Sequence, residues 1–252
     1  MNCATIEYMK LITLNTWAGR LKEPFEQFLH DHKDETDIFC FQEIFNKSDD
    51  GEESKPGEIN TNIFSEISSI LTDFDAHFCP VAEDVYGIAI FLKKGLEVVR
   101  SGEVLIYQSP TDEQGDHDRK MQWIHIKKDR KDVLIMNTHG HWDPSGKGDT
   151  PKRLEQSKAI TDFIQSIPYV PKILVGDMNL DLKTESIKLL EEYFINLVDK
   201  HDIQTTRTEF YTGEGRHADY VFVSSEVLIE QFKVLPDVVS DHAPLFIQFD
   251  VF

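Results

Sequence analysis

"LVGDMNLDL", residues 174–182, ends an apolar, strand-like run on Gly176, Asp177 and Asn179. Such polar groups are costly to remove from water unless they are paired, hydrogen-bonded or bound to a cation. Period-2 geometry sends Asp177 and Asn179 to one side of the chain and Met178 to the other, where it can pack. Asp181 falls on the polar side too, but it lies beyond the strand end and reads as a turn or capping residue.

The same placement recurs along the chain. In four apolar runs the polar group comes last: Asn15 after "LITL", Glu43 after "FCFQ", His139 after "VLIMNT", and Asp177 with Asn179 after "ILVG". In two it comes first: Asp219 before "YVFVS", and Asp241 with His242 before "PLFIQF". If those two strands run antiparallel to the other four, all eight residues share one rim of the sheets. Any one of them alone would be an ordinary turn former; turn preferences do not explain the coincidence.

Strand-like runs at 10–17, 37–43, 87–95, 98–107, 121–128, 132–139, 172–179, 218–225 and 243–252 outnumber the helical patterns about two to one. The helices are read from Phe25, Phe28 and Leu29; from Ile63, Ile67, Ile70 and Phe74; from Leu154, Ile160, Phe163 and Ile167; and from Ile187, Leu190, Phe194 and Leu197. Thr150 with Pro151, and Thr184, are helix starts. Strands alternate with helices in places and follow one another without helices over 87–138, which predicts an α+β chain with mixed sheets and helices packed outside. At 252 residues, with no internal repeat or linker, 1–252 reads as a single domain.

A net charge of -19 sets a penalty on binding phosphate backbones and anionic membranes. No apolar stretch approaches the ~20 residues of a membrane helix, and no cationic segment precedes an apolar one at the start. Cys3, Cys40 and Cys79 are odd in number and lack metal-ligand spacing, so a disulfide framework is not expected and a reducing, cytoplasmic setting is. No obligate protein partner is evident. The stretches 46–58 and 108–120 read as surface loops.

Carboxylates gathered on one rim raise one another's pKa, and a divalent cation is the simplest remedy. Oxygen donors from Asn15, Glu43 and Asp241 suit Mg²⁺ or Mn²⁺ better than zinc. Mg²⁺ usually binds through one or two carboxylates plus substrate phosphate, so a phosphate ester is the expected substrate.

With "LNTW" at 14–17, "FQEIF" at 41–45, "GIAIF" at 87–91, "NTHGHW" at 137–142, "RLEQ" at 153–156, "GDMNLDL" at 176–182, "ADYVFVS" at 218–224 and "SDHAPL" at 240–245, the chain resembles the endonuclease/exonuclease/phosphatase superfamily. The resemblance implies a four-layer α/β sandwich, with two mixed sheets face to face, helices outside and the active site at one edge. It implies Glu43 as main metal ligand, assisted by Asn15 and Asp241. It gives Asp177 the attacking water, Asn179 a nonbridging phosphate oxygen, and His242, oriented by Asp219, the scissile phosphate. His139 would stabilise the transition state or protonate the leaving oxygen.

Two departures stand out: Gly140, where the family usually has a large apolar residue, and Met178, where Phe is common. The "GHWDPSGKGD" loop makes His141 and Trp142 candidate substrate contacts, with Arg119 as a third, while Arg153 reads as a structural ion pair. The expected activity is metal-dependent hydrolysis of a phosphate ester. Acidic loops favour a phosphorylated small molecule or lipid head group over the alternative, a DNA or RNA nuclease. The complete set of rim residues speaks against a noncatalytic binding module of the same fold.

Overall fold

The computed structural model describes residues 8–47, 55, 57–110, 117–128, 131–167 and 169–251. Cys3, most of the 46–58 stretch and the middle of 108–120 lie outside the described residues.

Among the described residues, twelve strands form two mixed six-stranded sheets. The first contains β1 (Met9–Asn15), β2 (Ile38–Phe45), β3 (Phe74–Ala82), β4 (Tyr86–Lys93), β11 (Val227–Val234) and β12 (Leu245–Val251), in the order β11-β12-β1-β2-β4-β3. The second contains β5 (Glu97–Tyr107), β6 (Arg119–Lys128), β7 (Lys131–His139), β8 (Lys172–Asp177), β9 (Ile195–Asn196) and β10 (Asp219–Val223), in the order β5-β6-β7-β8-β10-β9.

The apolar runs of the central strands are continuous because these strands are covered on both faces. Along β1 and β2, Leu11, Ile38 and Cys40 join a core shared with Met121, Ile135 and Val175 of the second sheet. The alternate residues Ile12, Leu14, Phe39 and Phe41 pack with Phe25, Phe28 and Leu29 of α1 (Lys22–His32) and with Ile63 and Ile67 of α2 (Ile63–Ile70). On the other side, Ile160 and Ile164 of α3 (Pro151–Ser166) and Ile187 and Leu190 of α4 (Glu185–Glu191) cover the second sheet. Each fully buried side chain of this kind contributes roughly 1.5–3 kcal/mol of transfer free energy. Within the shared core, Gln42 Nε2 donates to Asn137 Oδ1 at 2.7 Å, and Asn137 Nδ2 donates to the carbonyls of Phe41 and Ala89. These bonds join the sheets through buried amides that also reach neighbouring carbonyls, while Gln42 Oε1 is buried without a hydrogen-bond partner.

Strand polarity gathers the rim. β1 runs parallel to β2 and antiparallel to β12; β7 runs parallel to β8, and β10 antiparallel to β8. Asp177 is therefore flanked in register by His139 on one side and Asp219 on the other. The expected helix starts form as read, with Thr150 Oγ1 accepting from Arg153 N and Thr184 Oγ1 from Ile187 N, both at 3.3 Å.

Three elements differ from the sequence expectation. Phe74 does not end a helix but opens β3, an edge strand whose Pro80 is tolerated there. β11 is a second edge strand, where a bulge between Ile229 and Gln231 breaks the alternation that would reveal it. The pattern from Ile187 to Leu197 is not one helix: α4 stops at Glu191, and Ile195–Asn196 pairs with β10. The Asn196 side chain then accepts from Val198 N and Asp199 N to start α5 (Leu197–Lys200).

Gly176, the glycine before Asp177, has φ of 127°, and a Cβ there would come 2.0 Å from the Thr138 carbonyl oxygen. Gly176→Ala is expected to lower the unfolding free energy by about 2 kcal/mol or more, read from the denaturant midpoint; an unchanged midpoint would show that β7 and β8 can separate freely there.

Candidate active site

Each rim residue is delivered by a specific backbone device. β1 ends on Asn15, and Ser240 Oγ donates to the Asn15 carbonyl at 2.7 Å while accepting from His242 N, which ties β1 to the turn carrying Asp241 and His242. Glu43 is the extra residue where the β2–β4 register slips, with φ of 58°. A bulge of this kind re-aims a side chain out of the sheet's alternation.

Asn179 also has positive φ, 55°, and its N–H donates to Asp177 Oδ1 at 2.7 Å. The strand stops at Asp177, so this left-handed turn, which asparagine tolerates well, brings Asn179 to the same cavity, while Met178 is buried as expected. Asp181 accepts from His217 N, in keeping with a turn role.

A cavity of about 420 Å³ is lined by Glu43, Asp177, Asn179, Asp241, His139 and His242, together with Trp17, Arg20, Tyr86, Arg119, Trp142, Lys147, Arg207 and Tyr211. Asn15 stands behind it and donates from Nδ2 to both Glu43 Oε1 and Asp177 Oδ2 at 3.1 Å. Asp219 stands behind His242, its two oxygens 2.9 and 2.8 Å from Nδ1. Asp177 Oδ2 lies 3.7 Å from His139 Nε2 and 3.6 Å from His242 Nε2. The eight rim residues therefore converge, six on the cavity surface and two directly behind it.

Burial and charge set the protonation states. Burial would push the Asp177 carboxyl up, but His242, then Lys147, His139 and Arg207, outweigh it and hold it below the usual carboxylate range. Burial pushes Glu43 up, and the carboxylates of Asp177 and Asp241 add to this against the counter-pull of His242 and Asn15. Burial lowers His139 well below the ordinary imidazole value, with Arg119 reinforcing the effect. For His242 burial is outweighed by Asp219 and Asp177, so its pKa is raised.

This donor set fits a divalent cation. Glu43 is a partly exposed carboxylate with those of Asp177 and Asp241 nearby, and Glu43 and Asp241 offer oxygen donors; Asn15, expected as a third, instead turns Nδ2 toward Glu43 and Asp177 while its Oδ1 accepts from Trp17 N. Asp177, Asp219 and His242 also place ligand atoms within 4.8 Å of one another and could hold a metal ion.

Of the candidate substrate contacts, Arg119 and Trp142 line the cavity, Trp142 half exposed and Arg119 buried. His141 does not reach it; its ring is buried edge-on against Tyr107, with centroids 4.7 Å apart. Gly140 explains its own departure from the family pattern, because a Cβ would come 2.5 Å from the Met178 carbonyl oxygen. Arg153 is structural, but through carbonyls rather than a short ion pair: its Nε donates to the His141 carbonyl at 3.1 Å and its Nη1 to that of Gly148.

Sequence reasoning missed Tyr86, Lys147 and Arg207. The Tyr86 hydroxyl lies 3.3 Å from His139 Nδ1, Lys147 Nζ donates to Asn179 Oδ1, and Arg207 rests on His242 Nε2 and lies 3.4 Å from Asp241. Tyr86 heads the "GIAIF" strand, and Lys147 is the one basic residue of "GHWDPSGKGD"; either could have been weighed. Arg207 sits in "TTRTEF", which carries no signal of its own.

The sequence pattern of the endonuclease/exonuclease/phosphatase family matches residues 12–242. The chain belongs to this family. Its members are typically metal-dependent phosphoesterases. No curated protein sequence matches the chain. Among solved structures of the fold, a mannosyl-6-phosphatase of Bacteroides thetaiotaomicron superposes with a TM-score of 0.76 at 17% identity, covering 96% of this chain and 99% of that one. The human Nocturnin catalytic domain with bound sulfate gives 0.67 at 19% identity, over 97% and 94% of the two chains. Humanized D. rerio TDP2 gives 0.74 at 13% identity, over 97% and 99%. At these identities the likeness concerns the fold alone.

Thr206 is a hidden support of the rim: its buried hydroxyl oxygen accepts from Ala218 N and Asp219 N at 3.1 and 3.2 Å. Thr206→Val keeps the shape and strands both amides. It is expected to cost about 2 kcal/mol in chemical denaturation, since each unsatisfied buried donor costs roughly 1–3 kcal/mol; a neutral result would mean that these amides find other acceptors.

Proposed function

We propose that the chain, as one domain over 1–252, is a Mg²⁺- or Mn²⁺-dependent hydrolase of phosphate esters in which Asp177 activates the attacking water. The observation that carries this reading is an Asp177 carboxylate only 1% exposed yet held ionised, lying between two imidazoles and beside Glu43. An ionised, desolvated carboxylate at a cavity wall can orient a water and accept its proton as the phosphorus–oxygen bond forms.

His242 donates from Nδ1 to Asp219, which fixes its tautomer and leaves Nε2 for a phosphoryl oxygen. His139, kept neutral by burial, can accept from the Tyr86 hydroxyl at Nδ1 and present Nε2–H to the cavity. A neutral ring donates a hydrogen bond to the developing charge without adding a second cation beside His242. Asn179 has one amide hydrogen on the Gly140 carbonyl at 3.1 Å and a second for a nonbridging oxygen. A divalent cation held by Glu43 and Asp241, with Asn15 Nδ2 positioning Glu43, would neutralise charge on the phosphoryl oxygens and on the leaving oxygen.

A phosphorylated small molecule or lipid head group is the favoured substrate, supported by the net charge of -19 and by a cavity of about 420 Å³. A nucleic-acid substrate is the second reading, favoured by Trp17 packed on Phe210 at 6.3 Å, by Arg20 over the Trp17 ring, and by the exposed Trp142, which could stack bases. No helix among the described residues is long and apolar enough to cross a membrane. Buried free Cys40 and Cys79 support a reducing, cytoplasmic compartment.

Asp177→Asn and His242→Ala are each expected to lower kcat about 10²-fold or more with the fold intact by circular dichroism. Chelation of divalent cations should abolish turnover, and added Mg²⁺ or Mn²⁺ should restore it. Near-normal activity in either folded variant, or full activity in chelator, contradicts the proposed roles. Plasmid nicking that falls steeply as salt rises would move the substrate to nucleic acid.

A further inference from the structure

We propose that the cavity selects a phosphomonoester, whose dianionic phosphoryl group is held by Lys147, Arg207 and Arg119. The inference rests on the phosphate-ester reading and narrows it from esters in general to monoesters.

The chain has 26 Lys and Arg against 45 Asp and Glu, so cations brought into one cavity are a selective feature of this surface. Lys147, Arg207 and Arg119 all line it and surround the catalytic candidates: Lys147 at Asn179, Arg207 at His242, and Arg119 bonded to Tyr86 beside His139. A buried charge is expensive unless it is paired and hydrogen-bonded. Within the chain these three are incompletely paired. Lys147 Nζ donates to a neutral amide oxygen rather than to a carboxylate. Arg207 lies over the Tyr211 ring, with 4.1 Å from the guanidinium carbon to the centroid, and its Nη1 meets Asp241 only at 3.4 Å. The Nε atoms of Arg207 and Arg119 are both buried without a hydrogen-bond partner.

Arg207 Nη1 also rests against His242 Nε2, the ring nitrogen that Asp219 leaves free. Arg207 thus spends Nη1–H on a ring nitrogen, while the Nε–H groups of Arg207 and Arg119 remain unspent in the same wall as the Lys147 ammonium, and together they describe an anion site. A phosphoryl oxygen seated there would accept from Arg207 in place of the His242 ring.

Three cations beside the catalytic candidates favour the more highly charged guest. A monoester carries a charge of about -1.5 to -2 at neutral pH and three terminal oxygens. A diester has a single charge and two terminal oxygens. With a diester, one of the three cations would face an ester oxygen and stay uncompensated in a desolvated wall. Sites built to hydrogen-bond a group discriminate strongly against analogues that lack it.

The test pairs turnover with binding. In turnover with Mg²⁺ present, kcat/KM for p-nitrophenyl phosphate is expected to exceed that for bis-p-nitrophenyl phosphate at least about tenfold. Arg207→Gln and Lys147→Gln, checked for folding by circular dichroism, should raise KM for the monoester and shrink that ratio. By calorimetry, also with Mg²⁺, inorganic phosphate should bind at least about tenfold more tightly than dimethyl phosphate, and the preference should collapse in Arg207→Gln. Equal binding of the two anions, equal or better diester turnover, or variants that lose both activities in proportion would overturn the proposal. Selective phosphate binding without hydrolysis of either ester would instead overturn the hydrolytic reading and leave monoester selection standing.

Discussion

The rest of the site depends on one constraint: the Asp177 carboxylate is out of water and must be held there as an anion. Desolvation opposes that state, and the surroundings answer it with Asn15, His139, His242, Lys147 and Arg207. These residues come from distant parts of the sequence and from both sheets, so the whole topology is involved in ionising one side chain. Gly176 contributes by letting β8 approach β7 more closely than any side chain would allow.

That demand also accounts for irregular backbone at the sheet edge. A regular strand alternates faces and cannot point successive groups into one cavity. Glu43 escapes the alternation by a bulge and Asn179 by a left-handed turn. Trp17 and Ala18, in the turn after β1, share positive φ and also line the cavity. Conformations of this kind cost of order 1–3 kcal/mol each and persist where the surrounding packing holds them. Here the double-sided core beneath the rim, pinned by the Gln42–Asn137 amide pair, provides that packing.

The eight rim residues were legible because strand ends leave a pattern, an apolar run followed or preceded by a polar group. Mixed sheets follow from the order of strands and helices, and their number from the family resemblance alone. The edge strands β3 and β11 were not, since partial exposure removes the continuous apolar run and a proline or bulge breaks the alternation. Asp177 and Asn179 do share the cavity, but through a turn rather than through strand periodicity. His141 shows the opposite failure: its place in the cavity-bordering loop suggested substrate contact, while packing on Tyr107 turned it inward. Arg207 lay out of reach because a loop cation has no period, and only the folded chain shows which carboxylate it serves.

The central claim is that water, directed by Asp177, attacks phosphorus. Hydrolysis of a phosphate ester in ¹⁸O-labelled water, with mass analysis of both products, tests it most directly. Attack at phosphorus is expected to place one labelled oxygen in the phosphate for each bond cleaved and none in the alcohol. Label in the alcohol, or unlabelled phosphate released at the same rate, would contradict it.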